Sequence, residues 1–202
     1  CSQTLAEFVL SCSSLKHLKI AYCDGLDIDA LNSIGRQLHT TQIEDFELLP
    51  TYSYYDGSSS ESQYWRIEKL KSFSVGSSSK EIVVMKKNFV RMMLGRMVCE
   101  NLTKLELNAE LSYGNDFVLF LITHFPSLDT LRLSRGVSSM KNQDFVNICN
   151  GFKNLQSLEF HFVHHESEVE MRSLQRNSTI TQLTLGMTKE VTIEDLKIIA
   201  SR

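Results

Sequence analysis

Residues 102–107 read Leu-Thr-Lys-Leu-Glu-Leu and residues 128–133 read Leu-Asp-Thr-Leu-Arg-Leu. In both, apolar side chains hold positions one, four and six, while positions three and five are polar or charged. The alternation from position three to six is that of a strand, which sends successive side chains to opposite faces and buries one of them. Five further segments share the pattern: LKHLKI from Leu15, IEDFEL from Ile43, LKSFSV from Leu70, LQSLEF from Leu155 and ITQLTL from Ile180. All 21 residues at positions one, four and six are apolar and none of the 14 at positions three and five is, a split that composition alone does not produce. Successive starts lie 25 to 32 residues apart, a spacing typical of repeat architectures.

Helical periodicity fills the intervals. Asp27 to Leu38 carries Ile28, Leu31, Ile34 and Leu38, and Asp116 to Phe125 carries Phe117, Phe120 and Leu121. Gln143 to Phe152, Glu168 to Gln175 and Ile193 to Ala200 behave similarly. One strand–helix unit cannot bury both of its apolar faces alone, so neighbours must stack, with parallel strands on one side and helices on the other. Helices are wider than the strand spacing, and curvature follows. The expected fold is an α/β solenoid of about seven strand–helix repeats, a single domain over residues 1–202. Its ends, Cys1 and Arg202 beside the helix Ile193–Ala200, read as cuts through a longer chain.

The motif resembles the leucine-rich repeat. Its first copy, CSSLKHLKIAYC from Cys12 to Cys23, is similar to the cysteine-containing subtype of F-box proteins, which opens with Cys, places Leu three, six and eight residues on, and closes with a second Cys. Cys99-Glu-Asn-Leu102 repeats the opening, and Ile67, Phe125 and Phe152 take the same column in other copies. The resemblance covers nearly the whole chain. It implies a horseshoe with its parallel sheet on the concave face, and a role as the substrate-recognition part of an F-box protein in a cullin-type (SCF) ubiquitin ligase. The ligase adaptor would be reached only through an F-box segment that this sequence lacks.

Two intervals are irregular. Thr51 to Trp65, TYSYYDGSSSESQYW, is a Ser-rich, acidic insertion with aromatics at both ends. It reads either as a solvated loop whose aromatics partly cap the core or as a contact arm or phosphorylation site. Lys80 to Val98 reads as a helix whose stripe Ile82, Met85, Phe89, Met93 and Met97 belongs to the core, with Lys86, Lys87, Arg91 and Arg96 on its wet face. A Met-rich partner groove is the minority reading.

Lys and Arg total 21 against 24 Asp and Glu, a formal charge of −3 that gives no electrostatic footprint for nucleic acid or an anionic membrane. Apolar runs fall far short of the roughly 20 residues that span a bilayer. Four of the five cysteines, Cys12, Cys23, Cys99 and Cys149, adjoin apolar runs. Unclustered and odd in number, they read as reduced thiols of the cytoplasm or nucleus. The sequons Asn101-Leu102-Thr103 and Asn177-Ser178-Thr179 would suit a secreted receptor instead, but both abut expected strands. No Gly-rich phosphate loop, GxSxG elbow, HExxH or paired CxxC occurs, so no catalytic site and no cofactor are expected. His161, His164, His165 and Glu166 crowd one loop, more in keeping with a polar rim than with a metal site.

Positions three and five should face away from the helices in two columns. The first is His17, Asp45, Ser72, Lys104, Thr130, Ser157 and Gln182; the second is Lys19, Glu47, Ser74, Glu106, Arg132, Glu159 and Thr184. Seven strands about 4.8 Å apart give a face roughly 30 Å long, suited to a folded domain or an extended peptide. Lys19, Glu47, Lys104, Glu106, Arg132, Glu159 and His161 are the expected partner-binding residues, with neighbouring charges satisfying each other when nothing is bound. Both columns lack aromatics, so anchors are expected on the rim, at Tyr22, Leu49, Tyr54, Tyr55 and Trp65. The function expected is recognition of a protein. The competing reading is a leucine-rich-repeat scaffold or adaptor in a cytoskeletal, signalling or RNA-export complex, which the residues before Cys1 would distinguish.

Overall fold

The computed structural model describes residues 2–21, 28–49, 64–76, 89–108, 116–133, 142–161, 171–186 and 197. Helix α1 (Ser2–Ser11) precedes β1 (His17–Ala21), α2 (Ile28–Leu38) and β2 (Asp45–Leu49). After the short β3 (Trp65–Arg66) come β4 (Ser72–Gly76), α3 (Phe89–Arg96) and the short β5 (Met97–Val98). Strand β6 (Lys104–Asn108), α4 (Phe117–His124), β7 (Thr130–Leu133), α5 (Asn142–Gly151) and β8 (Ser157–His161) follow, then a 3-10 helix (Met171–Arg176) and β9 (Gln182–Gly186).

Seven of the described strands form one sheet in the order β1-β2-β4-β6-β7-β8-β9, every neighbouring pair parallel. Each begins at position three of its motif. Each strand is entered through one carbonyl. The oxygen of Lys16 accepts the N–H groups of both Glu44 and Asp45, that of Glu44 those of Lys71 and Ser72, and that of Lys71 those of Thr103 and Lys104. Thr103, Asp129 and Gln156 repeat the arrangement, with all twelve N···O distances between 2.7 and 3.0 Å. Upstream, the N–H of Leu15, Leu70, Leu102 and Leu128 closes a turn onto the carbonyl three residues earlier, at Cys12, Ile67, Cys99 and Phe125. That turn fixes where the strand starts, and the shared carbonyl then fixes its register.

Positions four and six supply the core from the strand side: Phe46, Phe73, Leu105, Leu131, Leu158 and Phe160 are each at most 2% exposed. Leu31 and Ile34 of α2, Phe117 and Leu121 of α4 and Phe145 and Ile148 of α5 meet them in one cluster. The rings of Phe46 and Phe73 lie 5.4 Å apart and those of Phe145 and Phe160 5.6 Å apart. Only at β9 does the pattern weaken, where Leu183 and Leu185 are half-buried.

Several local expectations are corrected. Glu168–Gln175 is represented by a 3-10 helix at Met171–Arg176. This interval is the shortest, 25 residues from Leu155 to Ile180, and a 3-10 helix covers more length per residue, about 2.0 Å against 1.5 Å. Within Lys80–Val98, Phe89–Arg96 is helical but Met97–Val98 is a strand, because it pairs with Trp65–Arg66. Residues 80–88 lie outside the described ones, as do most of the expected helix Ile193–Ala200 and the insertion up to residue 63.

Trp65 is not a rim anchor: it is fully buried. Its indole fills the space beside Gly35, where a β-carbon would stand 2.5 Å from the ring. Nε1 donates to Oδ1 of Asn32 at 3.1 Å, and the same oxygen accepts from Arg96 Nη1 at 2.8 Å. Arg96, expected on a wet face, is therefore 8% exposed, and Asn32 is 3% exposed. Leu49, also expected on the rim, is 6% exposed where β2 ends beside Ala21 of β1.

Two buried donors, one of them charged, depend on a single oxygen. Asn32→Ala should cost about 3 kcal/mol in urea unfolding, since each buried donor left without an acceptor costs about 1–3 kcal/mol. Adding Arg96→Met removes the stranded charge and should recover about half of that loss. Additive costs in the double variant would show that Asn32 and Arg96 are not coupled.

Candidate functional site

The register brings positions three and five into the two expected columns. His17 stands opposite Asp45, Asp45 opposite Ser72, Ser72 opposite Lys104, and so on through Thr130, Ser157 and Gln182. Lys19, Glu47, Ser74, Glu106, Arg132, Glu159 and Thr184 align in the same way. Because positions four and six face the core, these residues share the sheet's other face, where side chains of β1 to β8 remain exposed or half-buried.

Their charges are paired across strands. Lys19 Nζ lies 2.9 Å from Glu47 Oε2, and His17 Nδ1 lies 2.5 Å from Asp45 Oδ2. At the centre, Glu106 Oε1 receives both Lys104 Nζ at 3.0 Å and Arg132 Nη1 at 2.8 Å. The Arg132 Nε is 3.8 Å from Glu159 Oε2. Glu106 is the most sheltered of these, with 14% of its side chain exposed. The charged residues of positions three and five thus come together, as their alternation in the sequence anticipated. His161 closes β8 two residues beyond Glu159, opposite Gly186. Tyr22, Tyr54 and Tyr55 lie outside the described residues, as do His164, His165 and Glu166.

A third row, at position two, went unremarked in the sequence reading. Lys16 and Lys71 grip Glu44 from either side, at 3.1 and 2.6 Å. Hydrogen bonds from Lys71 and then Lys16 pull the Glu44 carboxyl down to about 2, and Glu44 in turn raises the Lys71 ammonium above its ordinary value. Glu44 and Lys71 help line a shallow groove of about 390 Å³, together with Glu68, Lys69, Asn101 and Thr103. The alternation Lys16, Glu44, Lys71 at one repeat position was the signal for it.

Asn177, the acceptor of one sequon, is 4% exposed; its amide donates to the Phe152 carbonyl at 2.7 Å, and its Oδ1 accepts from the N–H of Thr179 at 3.1 Å. That amide staples adjacent repeats, and a glycan on it would be incompatible with this packing. Asn101 is exposed, with its amide on the Glu68 carbonyl at 2.7 Å. Burial pushes the Cys99 thiol up to about 12, so it stays protonated and is a poor nucleophile. Among the described residues no group of three or more His, Cys, Asp or Glu is arranged to hold a metal ion, and no helix is long and apolar enough to cross a membrane.

Glu44 is depressed in the folded state, so its stabilising effect is complete above the ordinary carboxylate range and is lost as pH falls from about 4.5 towards about 2. Melting curves of the parent and of Glu44→Gln should differ at pH 6, converge across that window, and converge also when salt is raised at pH 6. A gap that persists at pH 2 would mean that Glu44 acts through packing rather than charge. No protein-family model matches this chain, and no curated protein matches it.

Proposed function

We propose that the chain is a leucine-rich-repeat solenoid that binds a protein on the open face of its sheet. The observation that carries this reading is the alignment of the non-apolar positions three and five into two columns seven residues long. A sheet face polar along its whole length, backed by a continuous core, is a rigid platform whose side chains can be varied without disturbing the fold. Exposed ion pairs such as Lys19 with Glu47 contribute only about 0–1 kcal/mol each, so the charges of the open face are better suited to choosing a partner than to holding the fold. Charged complementarity of this kind governs specificity and encounter rate.

The partner class follows from the resemblance of the Cys12–Cys23 segment to the cysteine-containing repeats of F-box proteins. On that basis the domain selects substrates for a cullin-type ubiquitin ligase in the cytoplasm or nucleus and carries out no catalysis itself. Burial of the Cys99 thiol outside any disulfide supports the reducing compartment in that reading. So does the loss of Asn177 as a glycosylation acceptor.

The test is affinity capture by the full-length protein, with and without Glu106→Lys, Arg132→Glu and Glu159→Lys together. This triple change keeps opposite charges together at positions 106, 132 and 159 but sets Lys104 beside a like charge; circular dichroism reports whether the fold is intact, and the captured substrate should be lost. Lys153→Glu, on an exposed turn, should leave capture unchanged. An unaltered set of captured proteins would refute the open face as the binding surface. Capture without a cullin adaptor would refute the ligase assignment and favour a scaffold.

A further inference from the structure

We infer that the open face takes an arginine side chain of its protein partner into a trough over β4, an inference that rests on the reading of that face as the binding surface. Strand β4 places Ser72 and Ser74 in the two columns, between strands that carry long charged side chains. Serine reaches one bond beyond its β-carbon, so the face is lowest there, over a width of two strand spacings, roughly 10 Å.

The flanking charges lean away from this strip. Glu47 is held through Oε2 by Lys19, on the β1 side. Glu106 is held through Oε1 by Arg132, on the β7 side, and draws Lys104 along its own strand. Among the described residues, no ion pair between the columns crosses β4, and neither serine hydroxyl has a hydrogen-bond partner. Among the described residues nothing spans the trough, and its floor is polar.

Its lining selects a cation. Asp45, Glu47 and Glu106 border it, each also held on its far side, by His17, Lys19 and Arg132, while the nearest cations, Lys104 and Lys71, are committed to Glu106 and Glu44. A carboxylate offers about four acceptor sites, so ion pairing through one oxygen leaves Glu47 and Glu106 with acceptor capacity for a further donor. The two serine hydroxyls add further acceptors. A guest rich in donors completes this set, and a guanidinium, with five N–H groups in a planar fork, can contact both walls and the floor together. An ammonium is a point charge that reaches one wall at a time.

The experiment titrates the isotopically labelled full chain with oligo-arginine, oligo-lysine and oligo-glutamate peptides, following backbone amide shifts. Oligo-arginine should shift Ser72, Ser74, Glu47 and Glu106 most, bind more tightly than oligo-lysine, and leave oligo-glutamate without effect. Ser72→Leu with Ser74→Leu fills the trough at constant charge and should weaken oligo-arginine binding at least about tenfold, equivalent to about 1.4 kcal/mol. Ser74→Lys, which places a cation there, should do the same. Amide spectra of both variants report whether the sheet is intact. Undiminished binding by the folded variants, equal affinity for oligo-lysine, or shifts centred away from β4 would overturn the trough. Shifts centred elsewhere on the columns would do so while leaving the binding face in place, and shifts confined to the helices would count against both.

Discussion

The carbonyl at position two of each repeat holds two N–H groups of the next repeat, at six successive interfaces. A single acceptor shared by the last residue before a strand and the first residue within it leaves no freedom to slip by one residue. Such a slip in a sheet with one buried face would turn every apolar side chain outwards. Core and surface are therefore decided together. Once Lys16 has bound Glu44 and Asp45, the burial of Phe46 and Leu48 follows from alternation, and so does the placing of Glu47 beside Lys19. The pairing of charges on the open face results from the backbone geometry that aligns the leucines behind it.

Repetition of one local rule explains why so much was legible in the sequence. The seven strands begin where the motif places them, and the helices Ile28–Leu38, Phe117–His124 and Asn142–Gly151 agree with their periodicity to within a residue or so at either end. What escaped was long-range and unrepeated. Trp65, Asn32 and Arg96 are separated by 33 and 64 residues along the chain pairs that join them. The loop reading has the aromatics of the insertion partly capping the core, and Trp65 goes further, being fully buried; no local pattern announces its partners, or that a helix-terminal arginine will follow it there. Gly35 was the one available hint, since a small residue on a helix allows close approach, and its meaning depends on knowing which ring arrives.

That polar knot sits where the repeat spacing is least regular. The interval of 32 residues between Leu70 and Leu102 is the longest, and it is there that a short strand, Met97–Val98, pairs with Trp65–Arg66. Backbone pairing at this point satisfies donors and acceptors that a helix would otherwise have bonded internally. Trp65 supplies the apolar volume, while Asn32 holds its indole N–H and a guanidinium with one oxygen. A fully apolar substitute could fill the same space, and buried charges are seldom the most stable solution. The knot's distinctive contribution is directional: it ties α2, β3 and the end of α3 to one another.

Stability and the proposed recognition are thus separated by face. Behind the sheet, tightly packed side chains such as Leu105 and Phe73 are fully buried, and loss of such groups typically costs about 2–5 kcal/mol. On the open side, partly exposed pairs such as Lys19 with Glu47 are screened by salt and contribute little to folding. A partner that contacts a satisfied pair must offset the attraction it disrupts, so the net gain from such contacts is small, although mismatched charges are strongly penalised. Groups without a partner carry no such opposing cost. Among the described residues the serines of β4 are in that position, while the charges around them are largely occupied. On the binding face proposed above, the paired columns would exclude wrong partners, and the strip between them, unpaired among the described residues, is where a correct one would gain most.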